Sequence, residues 1–177
     1  MIKNIKINLN ILEYMLYFWQ SSSENEKVGE EYLAEIANQE EMKLLYDDEF
    51  SAESVRKVLS AITNHEMLNG GSAKERKFWN NNMWITEDME LLNMMIAPLK
   101  VLNADCLVDK INGQKDIPYE TVEIVFVPAT SEEYLIKDNR LIVNLFRVSA
   151  DLYEEGKITI DNKSVLDYLE EKILEMA

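Results

Sequence analysis

Apolar residues recur at helical spacing along the first hundred positions. Leu9, Leu12, Leu16 and Trp19 fall at i, i+3, i+7 and i+10, one face of a helix that ends near Ser21 to Ser23. The opening Ile2, Ile5, Ile7 and Leu9 fit strand alternation over the last three and helical spacing between the first two, so their element stays open. A second helix is predicted from about Val28 to Leu45, with Tyr32, Leu33, Ile36, Ala37, Leu44 and Leu45 as its stripe and Asp47-Asp48 as its end. A third opens after Phe50. Here Ser51 is the N-cap, Ser54 takes N3 and Glu53 sits in the first turn, where the helix dipole favours a carboxylate. Val55, Val58, Leu59 and Ile62 form its buried face. From about Asn69 to Ile85 the pattern lapses into polar residues and predicts a loop. Thr86 then caps a fourth helix that starts with Glu87 and Asp88, buries Leu92, Met95, Ile96 and Leu99, and is kinked or stopped by Pro98.

After Leu99 the period changes. Val101 to Ile111 suits strand or helix, with the balance toward strand. Thr121 to Val127, rich in β-branched residues and closed by Pro128, predicts a buried strand. Glu133 to Lys137 and Leu141 to Val148 flank Asp138-Asn139-Arg140 as a β-hairpin. Asp161 or Asn162 caps a last helix from Ser164 to Met176. Helices before strands define an α+β fold: an N-terminal helical lobe of about four helices, a C-terminal antiparallel sheet and a final helix. One domain over 1–177 is expected, its lobes meeting near residue 98.

Charge and composition narrow the functions. Asp and Glu number 33 against 18 Lys and Arg, a net charge of −15. Residues 1–50 carry 4 basic and 11 acidic side chains, residues 51–100 carry 6 and 6, and residues 101–177 carry 8 and 16. So acidic a chain repels phosphate backbones and anionic headgroups, which argues against generic nucleic-acid or membrane binding. The charge suits solubility, a basic partner, or mimicry of nucleic acid. Cys106 is alone, and no window of 18 residues is apolar enough to span a bilayer. The first 23 residues lack the uninterrupted apolar region and cleavage pattern of a secretion signal, so a cytoplasmic protein is expected.

The chain holds one histidine, His65, and glycines only at 29, 70, 71, 113 and 156. This excludes multi-histidine zinc sites, Cys-x-x-Cys chemistry, the P-loop and the dinucleotide fingerprint. Three carboxylates fall in or next to apolar stripes: Glu40, Glu66 and Asp88. Facing helices would bring them together as oxygen ligands for Mg²⁺ or Mn²⁺ in a hydrolase of a small phosphate-containing substrate. The plainer expectation is no cofactor, with Glu66 beyond its helix, Asp88 a first-turn residue and Glu40 at a stripe edge.

The segment 64–88 concentrates unusual residues: the only His, two of three Trp, two of five Gly and five Asn. Asn64, Lys74, Arg76, Lys77, Trp79, Asn80, Asn81, Asn82 and Trp84 are its candidate binding residues, joining flat apolar faces, amides and a local basic cluster. Trp and Arg dominate protein interfaces, so the leading expectation is protein–protein interaction through this segment. The bland alternative has Trp79 and Trp84 plugging the loop onto the core. In the hairpin, Val143, Leu145 and Arg147 share one face and Ile142, Asn144, Phe146 and Val148 the other. An exposed apolar face there would mark a homodimer interface, and full burial is the competing reading.

Overall fold

The computed structural model describes residues 1–129 and 132–177. The fold is α+β, in two compact units. One comprises Met1–Leu9, Asn93–Phe126 and Glu132–Ala177; the other comprises Asn10–Leu92 and the stretch that begins at Val127. The division therefore differs from a single cut near residue 98, because the first nine residues belong with the C-terminal sheet.

The helical unit contains α1 (Asn10–Ser23), α2 (Glu30–Ala37), α3 (Glu40–Lys43), α4 (Ala52–Thr63), α5 (Ala73–Thr86) and the start of α6 (Met89–Lys100). Leu33 and Ile36 of α2 and Val55, Val58, Leu59 and Ile62 of α4 are buried, following the expected stripes, whereas α1 buries Ile11, Met15 and Phe18 beside the expected Leu12 and Trp19 and leaves Leu16 half-exposed. The cap of α4 also forms as expected. The Ser51 side chain accepts from the Ser54 amide at 3.4 Å, and the Ser54 hydroxyl accepts from the Ser51 amide at 3.0 Å.

The helix expected over Val28 to Leu45 is two helices. Gln39 is extended, with φ −67° and ψ 141°, and its side-chain amide donates to the Glu35 carbonyl. That local bond competes with the helical ladder and restarts it in a new phase, so Glu41 and Met42 turn inward while Glu40 stays exposed. In α1 the buried Ser22 hydroxyl has no hydrogen-bond partner among the described residues. Ser22→Ala relieves that desolvation and raises helix propensity, so urea unfolding should show a gain of about 1 kcal/mol.

The other unit holds a four-stranded sheet in the order β1 (Asn4–Asn8), β2 (Thr121–Val127), β4 (Arg140–Asn144), β3 (Tyr134–Lys137). It is mixed rather than antiparallel. β1 and β2 run parallel, with Ile5 opposite Val122 and Ile7 opposite Ile124. A parallel pair needs a long crossover, and more than a hundred residues lie between the two strands. β3 and β4 form the expected hairpin around Asp138, whose φ of 53° the short polar side chain tolerates. β4 stops at Asn144, whose side chain accepts from the Phe146 amide and turns Leu145–Arg147 into a 3₁₀ turn. Leu141 through Leu145 are all buried, so β4 presents no exposed apolar face of the kind that would mark a homodimer interface.

A smaller antiparallel sheet follows from β5 (Val148–Ala150), β6 (Ile158–Ile160) and β7 (Lys163–Ser164). Asp161 and Asn162, with φ of 54° and 61°, make the β6–β7 turn and do not cap the last helix. Ser164 does, accepting the Asp167 amide at 3.2 Å at the start of α8 (Val165–Leu174). Leu107–Asn112 is a helix, α7, and not the expected strand: Ala104, Leu107 and Ile111 are buried at i, i+3 and i+7. Among the described residues no helix is long and apolar enough to cross a membrane.

Candidate functional site

Residues 73–86, expected as a loop, form α5. Its start carries a local signal that the thin apolar stripe obscured, a Ser-x-x-Glu capping box. The Ser72 hydroxyl accepts from the Glu75 amide at 3.1 Å, and the Glu75 carboxylate accepts from the Ser72 amide at 2.9 Å. Gly71, with φ of 92°, leads into the cap; a Cβ there would lie 2.9 Å from the Glu75 carboxylate. Thr86 is consequently the last residue of α5, and Asp88 takes over the start of α6 by accepting the Leu91 amide at 3.0 Å.

The inward face of α5 is Glu75, Phe78, Asn82 and Ile85, at i, i+3, i+7 and i+10. Phe78 stacks on Phe50 with ring centres 5.1 Å apart. Asn82 is wholly buried and fully used: Oδ1 accepts from the Trp19 indole at 3.0 Å, and Nδ2 donates to the carbonyls of Phe78 at 2.9 Å and Pro128 at 3.4 Å. It cannot meet a ligand. Glu75 is nearly buried beside Lys57, 3.3 Å away. Burial pushes its carboxyl up, but the Ser54 hydroxyl, the Ser72 amide and the Lys57 ammonium outweigh that and hold it below its ordinary 4.5. A depressed folded-state value means its stabilisation is complete above pH 4.5 and is lost as pH falls through the lower value. Glu75→Gln should therefore flatten the acid limb of the stability profile, measured by urea unfolding across that range.

The outward face carries the remaining candidates. Arg76, Asn80 and Trp84 are exposed at i, i+4 and i+8, with Lys77 and Asn81 half-buried beside them. Trp84 is 50% exposed, which is unusual for so large an apolar ring. Arg76 donates to the Gly71 carbonyl, and Lys74 pairs with Asp47. Trp79 differs from Trp84: it is half-buried, and its indole donates to the Glu66 carbonyl at 3.2 Å, so it plugs the preceding turn onto the helix.

Asn64 belongs to the end of α4, as its C-cap, and its amide lies 3.5 Å from the Ser60 hydroxyl. His65 follows with φ of 56°; its amide bonds the Ile62 carbonyl at 3.0 Å and that of Glu66 bonds Ala61 at 2.8 Å, the Schellman arrangement. The single histidine thus occupies a position that glycine usually takes. His65→Gly should raise stability by about 0.5–1 kcal/mol in thermal or urea unfolding.

The three carboxylates do not converge. Glu40 is exposed because of the break at Gln39, Glu66 follows the end of α4, and Asp88 is an exposed cap. Among the described residues no group of three or more His, Cys, Asp or Glu is placed to hold a metal ion. What the helical unit presents instead is one helix whose buried face is secured by a capping box and an asparagine bridge, and whose outer face is basic, amide-rich and aromatic. Comparison with protein-family models, with curated proteins and with solved structures finds no match to this chain.

Proposed function

We propose that the chain is a cytoplasmic protein-interaction module whose recognition element is the outward face of α5. The observation that carries this reading is Trp84, half-exposed in line with Arg76 and Asn80 on a helix that is otherwise tied to its unit. Aromatic and arginine side chains are the anchors that most often dominate binding energy at protein interfaces, and a rigid helix presents them with little further loss of conformational entropy. The setting adds selectivity. Residues 10–92 hold seven Lys and Arg against seventeen Asp and Glu, so Arg76 and Lys77 stand out against an acidic background that disfavours nucleic acid. A single cysteine suits a cytoplasmic setting.

Photo-cross-linking in the cells that make the protein tests this. A benzoylphenylalanine placed at Asn80 should give one discrete adduct with a second protein, which the same group at the exposed Glu31 of α2 does not. Trp84→Ala should remove the adduct while changing stability by less than about 1 kcal/mol. No discrete adduct at Asn80, or one indifferent to Trp84→Ala, overturns the reading.

A further inference from the structure

β3 ends its sheet, and among the described residues no strand lies beyond it. Its four residues, Tyr134 to Lys137, include no proline, and Tyr134, Leu135 and Ile136 are half-exposed. An open groove of about 360 Å³ runs along them, lined by Glu132, Glu133, Tyr134, Leu135 and Ile136. The strand is also held in place. The Tyr134 ring meets Tyr168 of α8 edge-on at 6.5 Å, lies 4.5 Å below the Lys172 ammonium, and its hydroxyl donates to Glu175 at 2.6 Å.

The hydrogen-bond phase of this edge can be read directly. The Asn144 amide donates to the Glu133 carbonyl at 3.1 Å, so the main chain of Glu133 faces β4. By the period of two, Leu135 and Lys137 do the same, while Tyr134 and Ile136 turn their N–H and C=O groups away from β4. A new strand would settle about 4.8 Å away and bond those two residues.

We propose that the occupant is a second copy of this chain, joined antiparallel through β3 about a two-fold axis at Leu135. Only registers that set outward-facing residues opposite one another satisfy the main chain, which leaves the axis at Tyr134, Leu135 or Ile136. With the axis at Leu135, Tyr134 and the partner's Ile136 exchange both hydrogen bonds, twice over. Leu135 meets the partner's Leu135, Glu133 comes opposite the partner's Lys137 on both sides, and beyond the strand ends Glu132 comes opposite the partner's Asp138, which the positive φ of the turn takes out of the extended line. An axis at Tyr134 would set Glu133 against leucine and Glu132 against isoleucine; an axis at Ile136 would set Lys137 against leucine and Asp138 against tyrosine. Between Glu133 and Lys137 the strand is thus self-complementary in apolar character and charge in one register only, and opposite charges facing across strands stabilise that pairing.

Cysteine cross-linking of the full chain tests the register. Directly opposed residues that do not exchange hydrogen bonds have Cα atoms about 4.5 Å apart, within disulfide reach. In a Cys106→Ser background, which removes the exposed native thiol, Leu135→Cys should give a disulfide-linked dimer on mild oxidation. Tyr134→Cys and Ile136→Cys should give much less. Ile136→Pro deletes an outward N–H that β4 does not use, so it should weaken dimerisation at least about tenfold in sedimentation equilibrium with an unchanged circular dichroism spectrum. Glu133→Lys and Lys137→Glu should each weaken the dimer, and the double reversal should restore it. A monomer at every concentration, cross-linking that favours position 134 or 136, or a dimer indifferent to Ile136→Pro and to charge reversal overturns the proposal. None of these measurements involves α5.

Discussion

Phe78→Ala should lower the unfolding free energy by about 3–5 kcal/mol, the range for truncating a well-buried phenylalanine. The ring is 2% exposed and stacked on Phe50, the residue that precedes the cap of α4. Its loss removes both the transferred apolar area and the aromatic contact between α5 and the α4 start, and α5 has little else apolar to hold it: on the inward face only Ile85 remains beside two polar groups. Urea unfolding measures the cost. Helix α5 should also become the first element to lose amide protection in hydrogen exchange, because its opening no longer exposes a buried ring. A loss below about 1 kcal/mol would mean that the ring is not the anchor of this helix.

Asn82→Ala should cost about 2–4 kcal/mol, although it removes only a small amide. The cost is that of abandoned partners. The buried Trp19 indole N–H loses its acceptor and the Pro128 carbonyl its side-chain donor, and each unsatisfied buried group costs about 1–3 kcal/mol. Asn82→Leu restores volume but still strands both groups, so it should be nearly as destabilising. A cycle with Trp19→Phe separates the parts: once the indole N–H is gone, the further cost of Asn82→Leu should fall by about 1–2 kcal/mol. Additive losses would show that Asn82 acts by packing alone. In contrast to both, Trp84→Ala removes a half-exposed ring and should leave stability nearly unchanged, which separates the outer face of α5 from its scaffold.

Neither Phe78 nor Asn82 is legible as a core position in the sequence. Phe78 and Asn82 lie in a stretch whose polar run, Asn80-Asn81-Asn82, reads as loop because asparagine favours turns. The available helix signal was at the start, in Ser72 and Glu75, three residues apart and preceded by two glycines. Asn82 counts as polar in any periodicity, and only the positions of Trp19 and Pro128, 63 and 46 residues away in sequence, make it a core residue. The candidate binding set divides on the same grounds. Trp84, Arg76 and Asn80 are exposed, with Lys77 and Asn81 half-buried beside them, while Asn82 is buried and Trp79 and Asn64 bond to groups of the preceding turn and helix. Glu40 illustrates a different failure: the stripe through Leu33, Ile36 and Ala37 was real, but one extended residue at Gln39 shifted the phase and turned the neighbouring Glu41 inward.

By itself, the sequence determined the elements whose signals are local. Apolar spacing specified α1 and α4, serine and its N3 partner specified the start of α4, β-branched residues specified β2, and Asp138-Asn139 specified the hairpin. Tertiary structure alone decided the parallel pairing of β1 with β2, the burial of Asn82 on α5, and the separation of Glu40, Glu66 and Asp88. The physical reason is the range of the interactions. Caps, turns and periodic stripes act within a few residues and are written in adjacent letters, whereas strand partners and the satisfaction of buried polar groups depend on residues that only the folded chain brings together.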